Sequence, residues 1–360
     1  MAIKYKWLAG KLKEMTEKNI KSGIEKLPTE QELCSRYRVS RQTVRQALAL
    51  LEKENLIVRR QGSGSYITGV SPDQGKNTVA VLISDDQEYI YPGVLRDICT
   101  ELSENGFTPQ VYVTGNRTES EYRILLDLLN ASPRGIIAEG CKSALPSPNL
   151  DLYRHLIKKG TEIVFLHNYY PALTGGLYVK DDNTAGSSML VRHLAERGHT
   201  SIGGIFKTDD LQSIERYQGF IETMRALHLT ISDERIGWFD SRDQAALEKG
   251  RETSFLRKIA EESLNSCTAV VCYNDMIAFY LLRELRQAGY HLPEDMAVTA
   301  FDNTYLSSYA PLSITTLSHK PHEMGTLAAM TMIRRLKGLP AKSQEVPWKL
   351  NPKESTNLTI

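Results

Sequence analysis

Leu27-Pro28-Thr29-Glu30-Gln31-Glu32-Leu33 and, after five further residues, Val39-Ser40-Arg41-Gln42-Thr43-Val44-Arg45-Gln46-Ala47-Leu48 form the stretch on which the reading of this chain turns. Thr29 stands before a run of helix formers, and Glu32 follows it by three positions. The hydroxyl can therefore cap the helix while the Glu carboxylate bonds back to the cap N–H, which predicts a helix ending near Tyr37. Ser40 is a second N-cap, and Val44, Ala47, Leu48 and Leu51 then fall at i, i+3, i+4 and i+7 on one face of the next helix. Arg41, Gln42, Arg45 and Gln46 lie on the opposite face. Two helices joined by a tight turn, the second presenting basic and amide side chains, make a helix-turn-helix, whose second member can offer its N-terminal residues to base edges in the major groove.

The flanks agree with that reading. From Lys4 to about Lys18, Trp7, Leu8, Leu12 and Met15 mark one side of an earlier, short amphipathic helix. Downstream, Leu56–Arg60 and Ser65–Thr68 read as strands around Gln61-Gly62-Ser63-Gly64, a hairpin wing. Its glycines match neither the dinucleotide pattern nor a loop ending in Lys-Ser/Thr, so a nucleotide site is not predicted. Residues 1–69 hold fourteen Lys/Arg against seven Glu, whereas the remainder holds 30 basic and 36 acidic residues. A basic head on a mildly acidic body suits a polyanionic partner.

The whole chain has 360 residues, 41% apolar and 24% charged, with a formal charge of +1. These values describe a soluble globular protein of two or three domains. No run approaches the apolar length of a membrane helix, and Lys4 and Lys6 sit where a signal peptide needs apolar residues, so a cytoplasmic location is expected and no membrane partner. Cys34, Cys99, Cys141, Cys267 and Cys272 form no C-x-x-C pair, and buried free thiols are expected rather than disulfides or a metal site. No cofactor is expected either.

Gly69 to Asn77 carries Gly, Pro, Ser and Asn with little to bury, and residues 70–77 read as a linker. From Thr78 onward, strand-length apolar runs alternate with helical stretches in two successive sets. Val79–Ser84, Gly135–Glu139 and Ile163–His167 belong to the first set, and Ile202–Phe206, Ala269–Tyr273 and Ala297–Phe301 to the second. Each set predicts a doubly wound lobe with a parallel sheet, with ligands beyond the carboxyl ends of the strands and a cleft between the lobes. Polar residues gather at those ends: Asp85-Asp86 with Tyr89 and Tyr91, Glu139 and Lys142, Asn168, Asp181-Asp182-Asn183, Lys207, Asn274-Asp275, and Asp302-Asn303. Carboxylate and amide acceptors, a few basic donors and aromatic faces are what a polyol requires.

Leu27–Leu33, Val39–Leu48 and Gly62-Ser63-Gly64-Ser65-Tyr66 together resemble the winged helix of GntR-type transcription factors across residues 1–69. The chain departs from that family between its first two helices, where Asn19 and Ser22-Gly23 replace the usual Gly and Pro-Gly. Carried over by position, the resemblance implies Glu30, Arg41, Thr43, Arg45, Gln61 and Gly62 as DNA contacts, and the outward face adds Gln42 and Gln46. The residues alone leave Arg41 and Arg45 two roles, bidentate to guanine or gripping phosphate.

Residues 78–360 resemble the lactose-repressor type of regulatory domain, related to periplasmic sugar-binding proteins. The marks are Leu194-Ala195-Glu196-Arg197-Gly198-His199, Glu215-Arg216-Tyr217-Gln218-Gly219-Phe220, Cys272-Tyr273-Asn274-Asp275 and Leu292-Pro293-Glu294-Asp295. By position Arg216, Asn274 and Asp302 would hold an effector, with Arg216 alternatively a surface residue of its helix. The combination of head and body resembles the arabinose-responsive repressors of Gram-positive bacilli. Ile136–Leu145 and Gly204-Ile205-Phe206-Lys207-Thr208-Asp209-Asp210 extend the likeness into both lobes. It implies L-arabinose, or failing that another sugar or polyol, as inducer, and adds Tyr89, Glu139, Lys142, Asp182 and His319 to the pocket beside Lys207. His319 reads equally as a satisfied histidine at a strand end.

The expectation is therefore an α/β protein: a small winged helix-turn-helix head over 1–69, a linker over 70–77, and over 78–360 a two-lobed, doubly wound, periplasmic-binding-protein-like domain that binds sugar and dimerises. It would be a sugar-released repressor on a pseudo-palindromic operator, acting as a homodimer. Paired carboxylates such as Asp181-Asp182 could serve glycoside hydrolysis. No nucleophile elbow, zinc motif or phosphate loop accompanies them, and a DNA-reading head has no use in a hydrolase, so an enzyme is not expected.

Overall fold

The computed structural model describes residues 2–21, 26–54, 56–60, 64–67, 77–87, 89–309 and 312–357. The chain divides into two compact units, Met1–Thr78 and Val79–Ile360. The expected linker falls almost wholly outside the described residues.

In the first unit, α1 (Ala2–Lys21), α2 (Glu30–Tyr37) and α3 (Arg41–Lys53) are followed by an antiparallel pair, β1 (Ile57–Arg60) and β2 (Gly64–Ile67). The first helix runs two to three residues beyond the expected Lys4–Lys18 at each end, because neither Ala2-Ile3 nor Asn19-Ile20-Lys21 contains Gly or Pro to stop it. Leu8, Leu12, Leu33, Val44, Leu48, Leu51, Ile57 and Ile67 close one core. The reciprocal cap is present on α2: Thr29 accepts from the Glu32 backbone, and the Thr29 N–H donates to the Glu32 carboxylate at 2.7 Å. Ser40 caps α3 by accepting from the Thr43 N–H at 3.2 Å. Arg38, in the left-handed region at φ 49°, turns the chain between them.

The second unit opens with β3 (Thr78–Ile83), α4 (Tyr91–Glu104), β4 (Thr108–Val113), α5 (Thr118–Ala131), β5 (Gly135–Ala138), α6 (Leu150–Lys158), β6 (Glu162–Leu166) and β7 (Leu177–Asp181). A second lobe follows with α7 (Asn183–Ala195), β8 (Ile202–Lys207), α8 (Leu211–Ala226), β9 (Ile236–Phe239), α9 (Ser241–Gly250) and α10 (Ser254–Glu262). It continues through β10 (Ala269–Cys272), α11 (Asp275–Gln287), β11 (Ala297–Phe301), α12 (Leu306–Tyr309) and β12 (Thr315–Ser318), and the chain ends with α13 (Glu323–Leu336), β13 (Gln344–Val346) and β14 (Lys349–Asn351).

Two six-stranded sheets result, in the orders β13-β7-β6-β5-β3-β4 and β14-β12-β11-β10-β8-β9. β8 to β12 pair in parallel, as do β3, β5, β6, β7 and β13, while β14 runs antiparallel to β12. Buried strands such as Thr78–Ile83 and Ile202–Lys207 are covered on both faces, which accounts for their unbroken apolar runs. The chain crosses between the lobes three times: from β7 to α7, from β12 to α13, and from β13 to β14. In consequence α13 packs against the first sheet, with Ala328, Ala329, Met332 and Ile333 beside Val79, Val164 and Val179.

All five cysteines are free; Cys141, Cys267 and Cys272 are buried, but Cys34 and Cys99 are only half-buried. Among the described residues no helix is long and apolar enough to cross a membrane, and no cluster could hold a metal ion.

Candidate functional site

In the first unit, Arg41, Gln42, Arg45 and Gln46 all stand exposed on α3, opposite the buried Val44, Ala47 and Leu48. Thr43 is half-buried, its hydroxyl 2.9 Å from that of Ser40. Glu30 holds a position that the sequence did not disclose. Its carboxylate pairs with Arg45 Nε at 3.0 Å and with Arg59 Nη2 at 3.1 Å, tying α2, α3 and β1 together. A carboxylate so engaged holds both guanidinium groups in place across the three elements. Gln61 and Gly62 lie outside the described residues.

In the second unit, the carboxyl ends of the parallel strands of both lobes converge on a cavity of about 420 Å³. The first lobe supplies Tyr89, Glu139, Lys142 and His167, with Asp181 at the first crossing. The second supplies Lys207, Asp209, Asp210, Arg216, Tyr273, Asn274 and Asp302. Five non-glycine residues on its wall have positive φ: Tyr89, Asn116, Lys142, His167 and Asp302. Strain of that kind persists where surrounding structure enforces it, commonly at binding sites.

Arg216, 2% exposed, is locked on three sides. Nε donates to Asn183 Oδ1 at 2.9 Å and Nη1 to the Tyr273 carbonyl at 2.6 Å, while the guanidinium lies 4.0 Å from the centre of the Phe301 ring. Nη2 stands 3.8 Å from Asp302 Oδ1, too far for a direct bond and close enough for both to hold one ligand hydroxyl. Tyr89 donates to Asp302 Oδ2 at 2.6 Å, bridging the lobes. Burial and the Asp302 charge push the Tyr89 phenol well above its ordinary range, so it stays a neutral donor. Asp302 itself is raised, by burial first and against the pull of Arg216. Glu139 is fixed from within the first lobe by the Ser84 N–H at 2.8 Å, the Ser84 hydroxyl and Tyr91. Asn274 caps α11 through Oδ1, which accepts from the Ile277 N–H.

Two expected pocket residues are placed elsewhere. Asp182 caps α7, accepting from the Ala185 N–H at 3.1 Å, and does not line the cavity. The period of two along β7 turns its neighbour Asp181 inward instead. His319 also lies off the cavity wall. Nε2 bonds to Asp181 Oδ1 at 2.7 Å, Nδ1 meets the Pro347 carbonyl at 3.0 Å, and the ring stacks on Trp348 at 3.7 Å between centres. One imidazole thus ties all three crossings together. Asp181 further meets His167 Nδ1 at 3.4 Å and accepts from Gln212 at 2.9 Å. Burial opposes its ionisation, but the two histidines prevail and hold Asp181 well below the ordinary range; reciprocally, both imidazoles are raised despite their own burial.

His167 and Gln244 were not named among the candidates, Asp181 was named only as a member of a strand-end group, and Asp209 and Asp210 only within a segment of likeness. His167, Asp209 and Asp210 stand within three residues of the ends of β6 and β8, the signal that picked out Glu139, Asn274 and Asp302, whereas Gln244, like Arg216, is a helix residue that strand ends do not reveal.

Residues 4–67 match the bacterial regulatory proteins of the gntR family, and residues 191–356 match the periplasmic binding protein-like domain. An arabinose metabolism transcriptional repressor of Halalkalibacterium halodurans is 32% identical over 92% of this chain and 89% of its own. A protein of the same description from Geobacillus stearothermophilus is 33% identical over 87% and 85%. Among solved structures, the transcriptional regulator CelR in complex with cellobiose superposes with a TM-score of 0.66 at 22% identity, covering 88% of this chain and 91% of that one, a likeness of fold. With a gntR-type head, a periplasmic-binding-protein-like body and relatives above 30% identity along nearly its full length, the chain belongs to the family of arabinose metabolism transcriptional repressors.

Proposed function

We propose that this repressor binds a pseudo-palindromic operator as a homodimer and is released when L-arabinose enters the cavity of the second unit. The observation that carries the reading is the convergence of Arg216, Asn274 and Asp302 from one lobe with Tyr89, Glu139 and Lys142 from the other on one cavity. Such a site offers acceptors and donors from both sides, so a polyol held between them favours the closed arrangement of the lobes. Release follows only if that arrangement has lower affinity for operator, a coupling of about 1–3 kcal/mol in typical cases. On the DNA side, Arg41, Gln42, Thr43, Arg45 and Gln46 meet the major groove, Glu30 orients Arg45 and Arg59, and Gln61 and Gly62 are further DNA contacts. Phosphate contacts supply affinity and base contacts supply choice. A sensor of this kind, paired with chromosomal DNA, works in the cytoplasm.

The test is operator binding by the purified protein at fixed salt, on DNA selected from its own genome, with L-arabinose and with D-xylose, D-ribose and D-galactose. Release by L-arabinose alone supports the proposal. Release by another sugar instead keeps the architecture and replaces the inducer, and binding that no sugar changes overturns the sensing role.

A further inference from the structure

Arg216 reaches the cavity wall, but its Nε is held from behind that wall. The acceptor is Asn183 Oδ1 at 2.9 Å, on the first residue of α7, which is buried. The other end of that amide, Nδ2, donates to Glu215 Oε2 at 2.8 Å. Glu215 in turn accepts from Lys180 Nζ through both oxygens, at 2.8 and 2.9 Å, and the buried Lys180 also meets Glu345 Oε1 at 3.1 Å. Burial opposes the Lys180 charge, but Glu215 and then Glu345 prevail and raise the ammonium above its ordinary 10.5. Lys180 stands on β7 in the first lobe, paired in register with Glu345 of β13, whereas Glu215 stands on α8 in the second lobe and Asn183 follows the first crossing. The contacts thus run from an exposed carboxylate at the sheet edge, across the lobes, to the guanidinium in the cavity. None of Lys180, Asn183 and Glu215 lines the cavity.

The oxygen and nitrogen of a side-chain amide are nearly the same size, so packing does not decide which of them meets Arg216. The charges on either side decide it. A carboxylate only accepts and a guanidinium only donates, so Glu215 takes Nδ2 and Arg216 takes Oδ1. With Glu215 replaced by an apolar side chain, Nδ2 keeps no partner in a buried site, and the amide that steadies Nε is held from one side only. We infer that Glu215, anchored across the first crossing by Lys180, is a positioning residue for the effector site: it fixes the Asn183 amide oxygen on Arg216 and so aims the remaining guanidinium edge at Asp302. The inference rests on the reading of this cavity as the sugar site and adds a residue that touches no sugar.

The experiment is calorimetry with L-arabinose on the full chain, alongside thermal midpoints, for the wild type, Glu215→Leu, Glu215→Gln, Arg216→Ala and the double variant Glu215→Leu/Arg216→Ala. Glu215→Leu is expected to weaken L-arabinose about 10-fold, the scale of one hydrogen bond. Glu215→Gln, which keeps an acceptor oxygen for Asn183 Nδ2, recovers most of that loss. In the Arg216→Ala background, Glu215→Leu costs no further affinity although it still lowers the midpoint, because an effect routed through Arg216 vanishes with Arg216 and a general loss of stability does not. Should Glu215→Leu not fold, Lys180→Met/Glu215→Leu, which leaves no unpaired buried charge, takes its place in the cycle. Wild-type affinity in Glu215→Leu, an undiminished loss in the Arg216→Ala background, or no recovery in Glu215→Gln overturns the inference while the sugar reading stands. If the wild type binds D-xylose, D-ribose or D-galactose but not L-arabinose, the arabinose reading fails and the same cycle, run on the sugar that binds, decides the inference. No heat from any of these sugars overturns both.

Discussion

Arg216 illustrates how much of one side chain's role is set by its neighbours. Two of its nitrogens are spent on Asn183 and the Tyr273 carbonyl, so only the edge facing Asp302 is left for a ligand. Removing it therefore takes away a fixed, charged donor and exposes Asp302 without its counter-ion. Arg216→Ala is expected to cost about 1.5–3 kcal/mol of sugar affinity, the scale of a hydrogen bond to a charged group, and to abolish sugar-triggered release of operator. Calorimetry and a release assay on the same preparation check this; a variant that keeps wild-type affinity removes Arg216 from the site. The same residue marks the reach of sequence reading. Its motif placed it correctly on a helix, but the aromatic enclosure by Phe301, Tyr273 and Trp348 assembles residues from three separate segments and leaves no local trace.

At the scale of elements, caps and apolar runs made most helices and the central strands legible. Short or partly polar strands were not: Leu177–Asp181, second from the edge of its sheet, is only partly buried at its start and carries Lys180, and the edge strands Gln344–Val346 and Lys349–Asn351 are three residues each. Such segments owe their state to the neighbour they pair with. Asp182 was misplaced for a related reason, since the side of β7 that faces the cavity is decided by its register with β6. Gly219 shows a constraint that the motif contains without explaining. A Cβ there would lie 2.3 Å from the Thr184 carbonyl oxygen, so α7 and α8 touch through bare backbone. Gly219→Ala is expected to destabilise the second unit by about 1–3 kcal/mol through overpacking, visible as a lowered thermal midpoint; an unchanged midpoint would mean that the two helices separate freely.

The three crossings give the whole second unit a pH signature. His167 and His319 are raised by Asp181, so their stabilising contribution is complete below the ordinary histidine value of 6.5 and is lost as pH rises through the raised values. Asp181 is lowered, so its contribution is present above 3.8 and is lost only as pH falls through the lowered value. His193, brought to about 4 by burial and by Arg197, acts in the opposite sense and only below 6.5. Stability of the second unit is therefore expected to decline as pH rises above 6.5, and Asp181→Asn to flatten that decline; an equal slope in the variant, measured by denaturant melts, would assign it to other groups. Coupling between sugar and operator makes a second demand on the complete molecule. Whatever factor L-arabinose removes from operator affinity, saturating operator must remove from L-arabinose affinity. Titrations in both directions should agree, and unequal factors would expose a third state.

Threading the chain three times between the lobes also has a consequence for how this protein is made. The head is a continuous stretch that ends before Val79, whereas the amino-terminal lobe is completed by α13 and β13, which leave the ribosome among the last segments. During translation the DNA reader is finished well before the sensor. A message cut short after Ser318 would encode a complete head joined to a body that lacks α13, β13 and β14, and so to an amino-terminal lobe with one face of its sheet uncovered.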